Sequence, residues 1–376
     1  MVSGLELKSL IGADGTLRLS LEDRALPDPG PGEVVIRVEG APINPTDHFQ
    51  MTGPADLSTL QREGSADRPV LTAKVHDAAL ASVKQRLDQP RPVGSEGAGT
   101  VVAAGAEARA LLGKRVAVNA GGMYAQYRLL PASACLVLPD DVTSAEGAAV
   151  FINPLTALAF VETMRMEGFT GLVHAAAASN LGQMLVKLCR AEAIPLVNIV
   201  RRDEQVALLK GLGATQIVNS SSPSFEADLA HAVAETSAYL AFDPTDGGKL
   251  ASQILGAMEA AAAAASTSYQ VYGTSVPKKV YIYGGLERGP TLLERRYGFA
   301  WDVGGWLLFP FMQKIGPESA ARLRQHVLRD IKTIFASSYS RTIGLREMLD
   351  PEIFRAYTAR ATGEKMLVDP TRDGPA

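Results

Sequence analysis

The sequence predicts a two-part α/β chain, in which a β-rich domain of short antiparallel strands precedes a doubly wound parallel sheet. From Leu17 to about Pro139, apolar and β-branched runs (EVVIRVEGAPI, AGTVVAAG, KRVAVNA, YAQYRLLP, CLVLP) are cut by Gly, Pro and Asn, which is how strands joined by turns read. After Pro139, helix-period segments alternate with short, nearly all-apolar runs, the pattern of a parallel sheet buried on both faces. The 376 residues, 47% hydrophobic and 20% charged, suffice for two domains with cores of their own.

Within the β-rich part, residues 53–92 break the rhythm. DLSTLQREGSADRP is polar, and HDAALASVKQRLDQ spaces its apolar residues as a helix would, so the segment predicts a helical insertion that either covers a site or decorates the surface. Past Pro139, SAEGAAVFINPLTALAFVETMRM reads as a helix, GLVHAAA as a strand, NLGQMLVKLCRAE as a helix, PLVNIV as a strand, DEQVALLKGLG as a helix and QIVN as a strand. A helix near Phe225 to Glu235, the strand YLAFD, the helix GKLASQILGAMEAAAAA and the strand KVYIYGG follow. The alanine run from Ala260 to Ala265 is helix interior, because alanine is the best helix former and Ile254, Leu255 and Met258 supply an apolar face. Residues 319–332 read as a helix, and the tail ends in EKMLVDP, a strand expected to return to the first domain.

A net charge of −3 with interspersed signs gives no field to attract nucleic acid or an anionic membrane, so a small ligand is the expected partner. The two cysteines, Cys135 and Cys189, lie far apart in apolar segments, which excludes a disulfide framework and a Cys-rich zinc site and fits a reducing cytoplasm. MVSGLELKSL has no apolar stretch of signal-peptide length, and WLLFPF is too short to span a bilayer.

The stretch VHAAAASNLGQM, Val173 to Met184, sits where a nucleotide-binding sheet carries its glycine-rich turn, yet only Gly182 is glycine. A pyrophosphate is held at a helix start because the first backbone N–H groups are unpaired and the dipole favours negative charge there. Ala177, Ala178 and Ser179 are small enough to admit it, and Ser179 or Asn180 can cap the helix or donate to a phosphate oxygen. By itself this is equally an ordinary buried strand and helix. The next strand, PLVNIV, ends in Arg201-Arg202 where NAD-binding folds place an acidic residue for the ribose hydroxyl, and two guanidiniums there would attract a 2′-phosphate, hence NADPH. A solvated pair at a strand end is the plainer reading.

These residues resemble the medium-chain dehydrogenase/reductase superfamily, in its zinc-free NADPH:quinone oxidoreductase and enoyl reductase-like branch. The resemblance rests on PGEVVIRVEGAPINPTDHF, GSEGAGTVVAAG, GKRVAV, GGMYAQY, AAVFINPLTAL, the turn itself, LLKGLGATQIVN and RATGEKMLV, in the family's order along nearly the whole chain. It implies a GroES-like catalytic domain (1–147 and 337–376, with the insertion at about 53–92), a Rossmann NADPH-binding domain (148–336), and NADPH lying in the cleft between them. Asn44 and Asp47 match the motif beside the nicotinamide, where they would order the site and polarise a carbonyl; a turn-capping Asn and Asp is the structural alternative. Asn153 and Thr156 match a segment near the nicotinamide and phosphates, Ser179, Asn180 and Leu181 the pyrophosphate turn, Arg201 and Arg202 the 2′-phosphate site. Tyr283 and Gly284 match the strand end facing the nicotinamide, Arg360 a cofactor contact from the tail, and Tyr124 a strand position whose plainer role is packing.

Two departures shape the expected activity. Zinc-dependent members carry ligands where this chain has Asn44 or its neighbours and Ser95, so no metal is expected. Enoyl-thioester reductases place a proton-donating tyrosine after the Asn-Pro motif, but DHFQMTGPADLSTL has none; His48 is the substitute acid if it is not structural. The expected protein is a cytoplasmic NADPH-dependent reductase of a quinone or enone substrate, with 2-enoyl thioester reductase and noncatalytic NADPH-binding redox sensor as the alternatives. The family usually pairs through the sheet edge near YGFAWDVGGWLLFPF, so a homodimer is expected.

Overall fold

A computed structural model describes residues 2–287, 289–359 and 365–374. The chain divides into two units, Met1–Phe151 with Ala336–Ala376, and Ile152–Phe335.

In the first unit, alternation of apolar and polar side chains makes β1 (Val2–Ile11) and β2 (Thr16–Leu26) an antiparallel pair whose Leu5, Leu7, Ile11, Leu17 and Leu19 are buried together. β3 (Glu33–Pro42) runs straight into helix α1 (Pro45–Thr52), whose start is set by Pro45 at the first helical position. Next come β4 (Asp56–Gly64), β5 (Pro69–Lys74), the short helix α2 (Asp77–Leu80) and β6 (Arg91–Pro92). Strands β7 (Gly97–Ala104), β8 (Arg115–Val118), β9 (Tyr127–Pro131) and β10 (Leu136–Val137) follow, then helix α3 (Ser144–Gly147). One sheet has the order β4-β5-β2-β1-β6.

Residues 53–92 correct the expected helical insertion. β4 and β5 form a hairpin that extends this sheet from β2, because Leu71 and Ala73 bury their side chains at strand spacing together with Leu60, and Gly64, at φ +79°, makes the turn. Only α2 and one 3₁₀ stretch, Ala81–Arg86, are helical, and none of their residues is fully buried, so the apolar face of HDAALASVKQRLDQ has too little packing to sustain a longer helix.

The second unit begins with α4 (Ile152–Met166). A single helix from Ser144 onward is not formed: α3 and α4 are separate, and Pro154, which cannot donate a backbone hydrogen bond to Val150, sits in the first turn of α4, where its missing donor costs nothing. β11 (Leu172–His174), α5 (Asn180–Ala191), β12 (Leu196–Val200), α6 (Asp203–Gly211), β13 (Gln216–Asn219), α7 (Phe225–Thr236), β14 (Leu240–Asp243) and α8 (Leu250–Ala265) then alternate. β15 (Lys278–Ile282) and β16 (Trp301–Gly305) complete the sheet, and α9 (Leu308–Arg329) closes the unit with a kink at Gly316, before Pro317. All neighbours are parallel in the order β13-β12-β11-β14-β15-β16, a doubly wound sheet whose order reverses between β11 and β14.

The tail returns to the first unit as β17 (Arg341–Ile343), α10 (Leu345–Met348), α11 (Pro351–Thr358) and β18 (Met366–Val368). β18 pairs antiparallel with β3, giving the second sheet the order β10-β8-β7-β3-β18-β17 with β9 also on β3. Among the described residues no helix is long and apolar enough to cross a membrane.

Candidate active site

In the first unit, the end of β3 and the start of α1 meet the segment before β7 in a buried polar cluster. Asp47 is completely buried and spends both carboxylate oxygens on protein donors: Oδ1 accepts from the Ser95 N–H at 2.8 Å and the Ser95 hydroxyl at 2.6 Å, and Oδ2 from the Asn44 N–H at 2.8 Å. Burial pushes its carboxyl up from the usual range, and the Ser95 and Asn44 hydrogen bonds oppose that shift. Asn44 donates from Nδ2 to Glu96 Oε1 at 2.9 Å, while Glu96 Oε2 accepts from the Phe151 N–H at 2.9 Å. Gln50 Nε2 donates to the Ser95 hydroxyl oxygen at 3.2 Å.

Asn44 Oδ1 is buried with no hydrogen-bond donor among the described residues. Of the two motif residues, Asn44 therefore has an atom to offer a ligand, whereas Asp47 acts through the groups it holds. Tyr124 is fully buried and donates to the Pro42 carbonyl at 3.2 Å, a packing position, and the His48 ring packs 5.7 Å from that of Tyr357. Reading the sequence missed two members of this cluster, Glu96, embedded in GSEG, and Lys365, which only the β18–β3 pairing brings near.

In the second unit, Ser179, Arg201, Arg202, Tyr283 and Gly284 follow the C-terminal ends of strands, and Asn153 and Thr156 lie on α4. Ser179 caps α5, its Oγ accepting from the Gly182 N–H at 3.1 Å, so its side chain serves the helix and the first-turn backbone is what the turn can offer an anion. Gly182 has no alternative, because a Cβ there would collide with the Ala177 backbone. Ala176, at φ +51°, provides the left-handed corner that glycine would usually supply. Leu181 is buried beneath the turn, and Asn153 and Thr156 are buried on α4, Thr156 donating its hydroxyl to the Ile152 carbonyl at 2.6 Å.

Arg201 and Arg202 follow the end of β12, both exposed, and neither guanidinium forms an ion pair with a described residue. Ser221 Oγ donates to the Arg201 carbonyl at 2.9 Å, drawing the loop after β13 to the same strand end. Tyr283 leaves the end of β15, and its hydroxyl lies 2.8 Å from Nε2 of His174, the last residue of β11. His174 is fully buried, which pushes its imidazole down to about 3 and keeps it neutral; this partner also went unseen in the sequence. Gly284 lies close against Pro244, where a Cβ would meet the Pro244 carbonyl. Arg360 lies outside the described residues.

The comparisons agree with this architecture. Residues 30–140 match the alcohol dehydrogenase GroES-like domain family. Prostaglandin reductase-3 of Mus musculus is 29% identical over 201 residues, 52% of this chain and 45% of that protein. Quinone oxidoreductase of Pseudomonas aeruginosa is 31% identical over 136 residues, 35% of this chain and 42% of that protein. The chain thus spans under half the length of these curated relatives. A solved structure described as an NADPH:quinone reductase from Mesorhizobium loti is 27% identical, with a TM-score of 0.71 over 98% of this chain and 99% of that one.

Residues 30–140 are thus similar to a GroES-like domain, and the chain as a whole shares the fold of that solved structure.

Proposed function

We propose that the chain is an NADPH-dependent oxidoreductase that reduces a quinone or an α,β-unsaturated carbonyl without a metal. The observation that carries the cofactor reading is the exposed Arg201-Arg202 pair, free of ion pairs with described residues, one strand beyond a small-residue turn that opens α5. NADPH fits these residues. The first-turn amides of α5 would hold its pyrophosphate, the guanidiniums its 2′-phosphate, and Tyr283 and Gly284 would line the nicotinamide end. When bound, NADPH supplies a hydride.

The acceptor needs its carbonyl oxygen polarised and, at the end, a proton, and neither demands a metal. In the first unit Asp47 fixes Ser95 and the start of α1, Glu96 fixes the Asn44 amide, and the remaining Asn44 side-chain oxygen would accept a hydrogen bond from a ligand N–H or O–H. The free thiols Cys135 and Cys189 suit a reducing cytoplasm.

The test measures NADPH against NADH binding for the native chain and an Arg201→Ala, Arg202→Ala variant, then NADPH oxidation with an ortho-quinone, an enone and an enoyl thioester. Charge-assisted hydrogen bonds contribute about 1.5–3 kcal/mol each, so the variant should bind NADPH at least about tenfold more weakly with NADH unchanged. Unchanged NADPH binding would remove the 2′-phosphate assignment. Turnover of the thioester alone would move the substrate to acyl chains, and tight NADPH binding with no turnover would make the chain a sensor.

A further inference from the structure

The pairing of β18 with β3 places one more ionisable group at the first unit's polar cluster. Leu367 lies opposite Pro42 and Val368 opposite Ala41, and the Ile43 N–H donates to the Met366 carbonyl at 3.0 Å. Continuing that register by two residues sets Lys365 opposite Asn44, so their side chains share a face. Lys365 is partly buried and its Nζ is shut off from solvent, with no hydrogen-bond partner among the described residues. The Tyr339 ring lies beneath it, 6.0 Å from Nζ to the centroid.

The plain role for a buried lysine beside Asp47 and Glu96 is to neutralise them. Those carboxylates, however, accept from neutral donors, among them Ser95 and Asn44 on Asp47 and Asn44 and Phe151 on Glu96, and Lys365 forms no ion pair with a described residue. An ammonium donor and the Asn44 Oδ1 acceptor therefore stand on one face, each buried and each uncommitted. We propose that Lys365 is the proton donor of the reduction. This rests on the NADPH-dependent reading above.

The step balances. The acceptor gains a hydride at the carbon conjugated to its carbonyl, NADPH becoming NADP⁺, and the displaced π pair moves to the carbonyl oxygen. That oxygen takes a proton from Lys365 Nζ, whose N–H bonding pair stays on nitrogen, and the amine regains a proton from water that enters when the product leaves. An enone yields an enol that tautomerises to the saturated ketone, and a quinone yields the keto tautomer of the hydroquinone, which aromatises when the ring C–H proton is lost and the second oxygen is protonated. Burial lowers the Lys365 ammonium from the ordinary lysine value, with Glu96 and Asp47 acting against that shift, which makes it a readier acid than a surface lysine. Other titratable groups around the cluster are His48, Tyr124, Tyr339 and Tyr357, and burial holds the three phenols well above the range in which they would ionise first.

The experiment compares the native chain with Lys365→Met and Lys365→Arg, using NADPH with an enone and an ortho-quinone from neutral to alkaline pH. The native kcat should fall as pH rises through the lysine's lowered pKa. Lys365→Met should lose about 100-fold or more in kcat with the KM for NADPH unchanged and the alkaline limb gone. Lys365→Arg keeps the charge but cannot release a proton in this range, so it should retain KM for the acceptor and lose kcat. It also decides the matter if the methionine variant does not fold. Separately, NMR titration of the lysine Nζ groups in the free protein should find one, missing from Lys365→Arg, titrating below the ordinary range, and lower again in Glu96→Gln. A Lys365→Arg chain that reduces acceptors within about threefold of native, or a Lys365 Nζ that titrates normally, overturns the proposal. If the native chain reduces no acceptor, the functional reading falls and takes the proton donor with it, an outcome distinct from an active native chain with active variants.

Discussion

His174 makes the second unit sensitive to acid, by an amount that follows from its burial. The ring is fully buried against Phe160 and Tyr283, with its centroid 5.9 Å from each of theirs, and its Nε2 lies against the Tyr283 hydroxyl. Desolvation pushes its folded-state pKa down to about 3, while in the unfolded chain it returns to about 6.5. A depressed folded pKa means that the unfolded state binds more protons below 6.5, so the stability is fully present above that pH, declines as pH falls, and stops declining near 3. At pH 4.5 the protein is two units below the unfolded value, and at about 1.36 kcal/mol per unit the loss is about 2.7 kcal/mol. Urea unfolding at pH 7.5 and 4.5, followed by a probe in the second unit, measures it. Asp243, whose burial raises its carboxyl, contributes with the opposite sign, so the native chain is compared with His174→Gln, which keeps a polar partner for Tyr283 but does not titrate. The pH-dependent loss should be about 2.7 kcal/mol larger in the native chain. Because β11 ends at His174 and leads into the turn before α5, NADPH binding should weaken in parallel. Equal pH dependence in the two chains would refute a buried neutral imidazole.

Gly182→Ala forces a methyl group against the Ala177 backbone, so α5 must move off β11. Overpacking of this kind costs about 1–3 kcal/mol, and a lower Tm together with weaker NADPH binding is expected; a variant that melts and binds like the native chain would show that the close approach is not needed. β16 is an edge strand, and beside it Phe299 is 80% exposed, with the ring of Tyr272, itself 73% exposed, 6.1 Å from that of Phe299. Such a surface beside an open edge fits pairing with a second copy, so sedimentation should find a dimer that Phe299→Glu weakens, and a monomeric native chain at micromolar concentration would sink the idea.

How much of this was legible depends on how far apart the interacting residues lie in sequence. The alternation after Pro139 was readable because each βα step buries its own local apolar pattern, and α5, β12, α6, β13, α7, β14, α8 and β15 all appear where that pattern puts them. Residues 53–92 misled because helical spacing over HDAALASVKQRLDQ is only a local signal, whereas β4 and β5 are decided by a hydrogen-bonding edge on β2 that the segment itself does not reveal. The same limit applies at the candidate site. Asn44 and Asp47 lie three residues apart and were visible as a motif, but Glu96 reaches them through a side-chain bond to Asn44 across 52 positions, and Lys365 through a ladder between β3 and the tail.

The turn that opens α5 shows why a glycine-poor sequence can still leave backbone exposed to an anion. A phosphate-binding turn has three separate demands: a left-handed corner, a close helix-to-strand approach and unpaired amides at the helix start. Here Ala176 takes the corner at φ +51°, a conformation that costs an alanine of order 1 kcal/mol, and Gly182 alone provides the close approach. Ser179 satisfies one amide, that of Gly182, and in doing so fixes where the helix begins. Its hydroxyl is therefore committed to orienting the amides and not to replacing them, so affinity for a pyrophosphate would reside in the backbone of the first turn. The strain at Ala176 persists because the Ala177 N–H donates to the Ile199 carbonyl at 3.1 Å and the Ala175 N–H to the Phe242 carbonyl at 3.1 Å, which pin the residues on either side to β12 and β14. The corner is thus held by the two strands flanking β11, which include the point where the strand order reverses.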